Sequence, residues 1–319
     1  MDNTQELKSI VFIDEGSFAC NNLDACKYKE RSLSYAVGVD IPTPTVDPEE
    51  VFKECCYVHN VFADENSSDD FKNDYSSFYH QRQLSNENAS FKLIHINTGD
   101  EFDLVDSTYG SFYGFGSFSE NTNLTGFRLE WKKVLEDIGE GSFKVVKSIS
   151  KIGITVDFNS LVYTLSQFNE KRANKTARID VVLNGLMEKD KTDFTGIGWK
   201  DSIRVPGFFG RREFQFEEDF LIDRTFEKRQ ISMKQTNEYK FQTNSVPNCV
   251  TNPIIDLFLF ADDIYMNDYN LNNHSYDYKK FSVKFQGNEN TDYTSTSRKA
   301  RLNLIFNDKF ENNLKRNYR

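Results

Sequence analysis

The chain has 319 residues, enough for one large domain or two ordinary ones with a core of their own. It carries 39 Lys and Arg against 49 Asp and Glu, a formal charge of −10, so no overall electrostatic attraction draws it to nucleic acid. Phe (29) and Tyr (15) are abundant while Pro (6) and Met (4) are scarce, a balance that favours strands over helices. The five cysteines, Cys20, Cys26, Cys55, Cys56 and Cys249, form no C-x2-C pair. Their odd number and the adjacent Cys55 and Cys56 fit reduced thiols better than disulfides or a zinc site. The acidic start and the short apolar run "IVFI" predict no signal peptide, and no stretch approaches the roughly 20 apolar residues of a membrane helix. The expectation is a protein made in the cytoplasm, away from membranes.

Residues 1–30 are polar and broken and read as an N-terminal arm with one strand, "SIVFI". "SLSYAVGVDI" alternates as a strand until "IPTPT" stops it. A helix is predicted near 48–62. Asp47 caps it, Pro48 takes its first position, Glu49 and Glu50 suit its positive end, and Val51, Cys55, Val58 and Phe62 share a face. The acidic stretch from Ala63 to Ser90 reads as a solvated loop; it lacks the alternating ligands and glycine of a calcium loop. "FKLIHINTGDEFDLV" is two strands around the turn "NTGD". The following "DSTYGSFYGFGSFSENTNLTGF" alternates Gly or Ser with Tyr or Phe, which suits a contact loop and makes Tyr109, Phe112, Tyr113, Phe115 and Phe118 candidate subunit-interface residues.

A second helix is predicted near 126–138, with Phe127, Trp131, Val134, Leu135 and Ile138 on one face and glycines after it. "SFKVVKSIS" and "KIGITVDF" are strands, and a soft boundary lies near residue 170. From Ala177 strands follow at short spacing, as in a sandwich or barrel. A short buried helix is predicted near 253–261, and the basic tail 309–319 is expected to fray. The fold class is therefore mainly β (α+β): sandwich- or barrel-like sheets with two or three short helices. Its parts are the arm 1–30, an α+β domain 31–170 with an acidic insertion, a β-rich domain 171–308 and the tail.

The residues offer little chemistry. No G-x-S-x-G elbow occurs, and the four histidines have no metal-type pairing. Cys55 and His59, four apart on the predicted helix, sit in apolar company that argues for packing rather than a dyad. Asp262, Asp263 and Asp268 are the best acid/base candidates, although turns and caps use aspartates in the same way. "SIRVPGFFGRREFQF" looks basic and aromatic, but four acids follow the adjacent pair Arg211 and Arg212 and neutralise the patch. It reads as two strands, "SIRV" and "REFQF", joined by a bend at "PGFFG". Phe208 and Phe209 cannot both point inward from such a bend, so they too are candidate interface residues. No catalytic, cofactor-binding or metal-binding residue is expected.

The C-terminal half, "WKDSIRVPGFFGRREFQFEEDFLIDRTFEKRQISMKQTNEYKFQT" with "DDIYMNDYNLNNHSYDYKKFSVKF" and "TSRKARLNLIFND", resembles structural proteins of tailed bacteriophages of Bacteroidetes, the crAss-like phages among them. "LEWKKVLEDIGEGSFKV" fits the same pattern, and the resemblance spans residues 90 to 308. It implies a non-enzymatic virion protein of the neck or tail, assembled in the host cytoplasm. Copies would form a six-fold or twelve-fold ring that connects portal and tail and lines or surrounds the DNA passage beside other neck and tail proteins. An acidic lumen would ease the passage of DNA without binding it. The resemblance carries over no functional residue. The competing classes are a carbohydrate-binding fibre or spike protein and a tail-associated glycan hydrolase.

Overall fold

The computed structural model describes residues 58–81, 88–105, 108–113, 124–151, 154–160, 162–187, 192–222, 226, 228–247, 250–251, 254–255, 258–268, 279–294, 299–309 and 312–315. The expected strands at 9–13 and 32–41, the five cysteines, Phe115 and Phe118 lie outside these residues. The fold is mainly β, with two short helices among several sheets.

The first half is a two-layer unit. One layer contains β1 (Val58–Ala63), β3 (Asn88–His95), β4 (Glu101–Asp103), β7 (Gly141–Lys151), β8 (Ile154–Asn159) and β9 (Val162–Gln167). Its order is β1-β9-β7-β3-β4, with β8 also on β7; β1 and β9 run parallel. The other layer is the antiparallel trio β2 (Tyr75–Gln81), β6 (Leu124–Glu130) and β5 (Gly110–Tyr113), in the order β2-β6-β5. Phe78, Phe127 and Leu129 from the trio share a core with Phe91, Leu93, Phe143, Val145, Tyr163 and Leu165 from the larger layer. Helix α1 (Trp131–Asp137) adds Trp131, Val134 and Leu135 to that core.

Several expectations need correction here. The end of the helix predicted near 48–62 is strand β1: Val58 to Ala63 pair rung by rung with Val162 to Gln167, and this sheet contact outweighs the helical spacing of Val58 and Phe62. The helix predicted near 126–138 begins only at Trp131, because Leu124 to Glu130 are held extended against β2. Gly126 lies so close under the Trp199 ring that a Cβ there would sit 2.3 Å from it. The acidic loop contains strand β2, and residues 88–90 already belong to β3. The "NTGD" turn forms between β3 and β4 with Gly99 at φ 77°, where glycine is the unstrained choice.

Helix α2 (Glu170–Ala173), capped by the Asn169 side chain, leads into the second half. Its strands are β10 (Thr176–Leu183), the short pair β11 (Leu186–Met187) and β12 (Thr192–Asp193), then β13 (Trp199–Ile222), β14 (Lys228–Thr243), β15 (Val246–Pro247), β16 (Asp263–Asp268), β17 (Lys279–Thr294), β18 (Lys299–Asp308) and β19 (Asn312–Lys315). β10, β13, β14, β18, β17 and β16 pair successively, and β16 returns to β10. The sheet therefore closes into a six-stranded antiparallel barrel. Ala177, Ile179, Val181 and Leu183 alternate into its interior, where they meet Ile203, Val205, Phe209, Phe241, Leu304 and Phe306. Residues 312–315 of the tail are not frayed but pair with β14. Of the helix expected near 253–261, residues 254–255, like 250–251 before them, are helical and Phe258–Phe260 form a 3-10 turn; residues 252–253 and 256–257 lie outside the described residues.

The two halves share more than a boundary. Tyr79 of β2 packs edge-on against Phe194 and Trp199, and Tyr79 and Leu124 belong to the barrel's core. On β10 and β13, Arg178 and Arg204 face each other across the sheet and are both buried. Asp74, at the start of β2, accepts hydrogen bonds from Arg204 Nε (2.7 Å) and Nη2 (2.6 Å), from Arg178 Nη1 (3.1 Å) and from the Phe62 amide (2.8 Å). Arg178 also pairs with Asp180, so two buried cations meet two buried carboxylates. Burial by itself would raise the Asp74 carboxyl. The Arg204 charge and hydrogen bonds, aided by Arg178 and the Phe62 amide, hold it below the ordinary carboxylate value.

Candidate assembly surface

The expected bend at "PGFFG" is not a turn. β13 runs unbroken for 24 residues and changes partner there, from β10 up to Pro206 to β14 from Gly207 onward. Proline can occupy this rung because its nitrogen faces the β14 side, where the ladder begins only at Gly207 opposite Thr243; its carbonyl accepts the Asn244 amide, and the Gly207 amide turns the other way, to Lys175. Between Phe209 and Arg212, β13 takes three steps while β14 takes two, from Phe241 to Tyr239, so one extra residue makes a bulge. The extra step reverses the alternation. Phe209 (odd) and then Phe214 and Phe216 (even) all fall on the side of the sheet that carries Phe241 and Tyr239, the side that faces the barrel core.

Barrel contact for β14 starts at Glu238, opposite Asn307 of β18. Residues 228–237 of β14 and 212–222 of β13 thus continue past the barrel as a hairpin arm, braced at Ser232 to Gln235 by β19. On the arm the core-facing side has lost its core. Phe214, Phe216, Phe220 and Ile222 alternate along it, and Phe226 follows at the tip; these five are between 48% and 86% exposed. Phe214 and Phe216 lie near-parallel with centroids 6.4 Å apart, and Lys228 Nζ stands 5.8 Å from the Phe220 ring. Met233 pairs with Glu218 in the same row. The opposite side is acidic and polar: Glu217 lies 3.8 Å from Lys234, Gln215 donates to Glu238, and Ser232 donates to Asp219. The described part of the arm thus carries an exposed apolar row on a ribbon whose other side is charged and polar.

The residues singled out in the sequence divide. Phe208 points outward at 37% exposure, whereas Phe209 is 1% exposed and stacks on Tyr239 at 4.8 Å. Tyr109 is likewise buried in its own chain: its hydroxyl donates to Asp137 Oδ2 at 2.6 Å, and burial together with that bond pushes its pKa up to about 12. Phe112 is half-buried, edge-on to Phe127 at 5.0 Å. Tyr113 ends β5, but its side chain, like those of Arg211 and Arg212, lies outside the described residues. Alternating Phe reads as core, which conceals the exposed row in the sequence. The acids on the other side, Glu213, Glu217 and Asp219, together with Glu218 in the row itself, are the signal that both faces are exposed.

The acid/base candidates are structural in position. Asp262 accepts the Asn184 amide at the barrel's end, Asp263 pairs with Lys309, and Asp268 closes β16 opposite Ala177. His59 lies on a strand, buried and stacked on Tyr163 at 5.5 Å, so it is not a helical neighbour of Cys55. Among the described residues no group of three or more His, Cys, Asp or Glu could hold a metal, and no helix is long and apolar enough to cross a membrane. No protein-family model matches the chain, and no curated protein is similar to it.

Proposed function

We propose that the chain is a non-enzymatic structural protein of a tailed-phage particle, a subunit of an oligomeric ring in the neck or tail that surrounds the DNA passage. The observation that carries the assembly role is the arm: a barrel strand continues well beyond its barrel with its core-facing side exposed and aromatic. A face built like a core and left uncovered is completed by a neighbouring subunit. The phage setting rests on the resemblance of residues 90 to 308. The acidic side of the arm, with Glu213, Glu217 and Asp219 exposed, suits a surface past which DNA slides without being held. Two measurements test the reading together. Electron microscopy of the purified full chain, alone and with neighbouring neck proteins, should show closed rings, and mass spectrometry of purified virions should find the chain. A strict monomer that is absent from particles overturns the proposal.

A further inference from the structure

Apart from Phe208, the large exposed apolar side chains among the described residues of the second half fall into two groups. One is the arm. The other lies at the opposite end of β13: Leu186 on the β11–β12 hairpin and Phe260 on the 3-10 turn are exposed, while half-buried Ile197, Leu259 and Ala261 pack on the barrel core. These segments are tied together. The Asn184 amide donates to Asp262, and Asn184 Oδ1 accepts from the Gly196 and Gly198 amides just before β13 begins. The 15 steps of strand from Trp199 to Phe214 separate the two groups by up to about 50 Å.

We propose that these are the two halves of one contact: the aromatic side of the arm of one copy docks on the Leu186–Phe260 end of the barrel of a second copy. The inference rests on the ring reading above and specifies its interface. Charge argues against the simpler option, two arms stacked on each other about a two-fold axis. Such stacking over residues 213–222 would set Glu218 of each copy against its counterpart, two like charges in a desolvated layer. It would leave the Leu186–Phe260 end exposed as well. In the head-to-tail arrangement each copy gives its arm to one neighbour and receives an arm from the other. Both apolar groups are then covered, each copy makes the contact twice, and a rotation that closes makes a ring.

The test uses the full chain in analytical ultracentrifugation. An arm variant, Phe214→Ser/Phe216→Ser, and an end variant, Leu186→Ser/Phe260→Ser, should each self-associate at least ten-fold more weakly than the wild type. Mixed in equal amounts they should form a dimer that grows no further, since one intact arm and one intact end remain between them. If the wild type associates but the arm variant alone still dimerises, or the mixture stays monomeric, the contact is refuted while the ring reading stands. A wild type that is monomeric alone and with its neck partners removes both. Should the end variant fold poorly, a photo-crosslinking residue in place of Phe216 in the otherwise native chain gives the answer. Crosslinks to 184–187 or 258–261 of another copy support the contact, and crosslinks to another arm refute it.

Discussion

Strand β13 passes through two environments without a break. From Trp199 to Phe209 its core-facing side chains are packed under neighbouring strands, and its outward Arg204 is buried by the first half of the molecule. From Glu213 to Ile222 the same alternation continues and those side chains are exposed. The first stretch belongs to the core of the fold, and the second, which we propose serves assembly, presents the same kind of side chain at the surface. Similar residues in the same kind of strand therefore do different work, and what separates them is whether β18 and β2 are there to cover them.

Substitutions that disturb the first stretch should have the largest effects. Asp74→Ala leaves Arg178 and Arg204 buried without their shared carboxylate and should cost about 3–5 kcal/mol in denaturant unfolding, close to the whole margin of an ordinary domain. The same site should respond to pH. Because the folded-state pKa of Asp74 is depressed, its contribution is fully present above the ordinary carboxylate value, about 4, and is lost as pH falls below it. Unfolding of Asp74→Asn measured across that range should show a shallower acid dependence than the wild type.

The sharpest contrast is between two phenylalanines on one strand. Phe209→Ala should cost about 3–5 kcal/mol through lost burial and a cavity beside Tyr239, whereas Phe216→Ala should change monomer stability by no more than about 0.5 kcal/mol. Equal losses at the two positions would erase the distinction. Gly126→Ala should cost about 1–3 kcal/mol by forcing the Trp199 ring away, a check on how tightly the two halves are joined. A smaller loss is expected for Tyr109→Phe, about 1 kcal/mol for the lost bond to Asp137; spectrophotometric titration should place the Tyr109 phenol near 12 rather than 10.

The sequence showed what short-range patterns can show. The β-rich class followed from aromatic content and from strand spacing after Ala177, and the "NTGD" hairpin from its turn residues. What it concealed was long-range. Val58 and Phe62 have helical spacing, and only the β9 partner a hundred residues away makes that segment a strand. Asp74 looked like one more acid in a solvated stretch, because its two arginines are also about a hundred residues distant. "PGFFG" carried every mark of a turn, yet the proline nitrogen faces the side where the β14 ladder has run out and the glycine-arginine pair forms a bulge. Of the candidate contact residues, Tyr109 and Phe209 proved to be core, since a run of aromatics does not reveal which of them its own chain covers.

The central claim is that the arm serves assembly and not folding. Sedimentation and thermal unfolding of Phe214→Ser/Phe216→Ser, measured on the same sample beside the wild type, test it most directly. The account predicts that association is lost while the unfolding midpoint of the monomer stays in place; a midpoint that falls with the substitutions, or association that survives them, would contradict it.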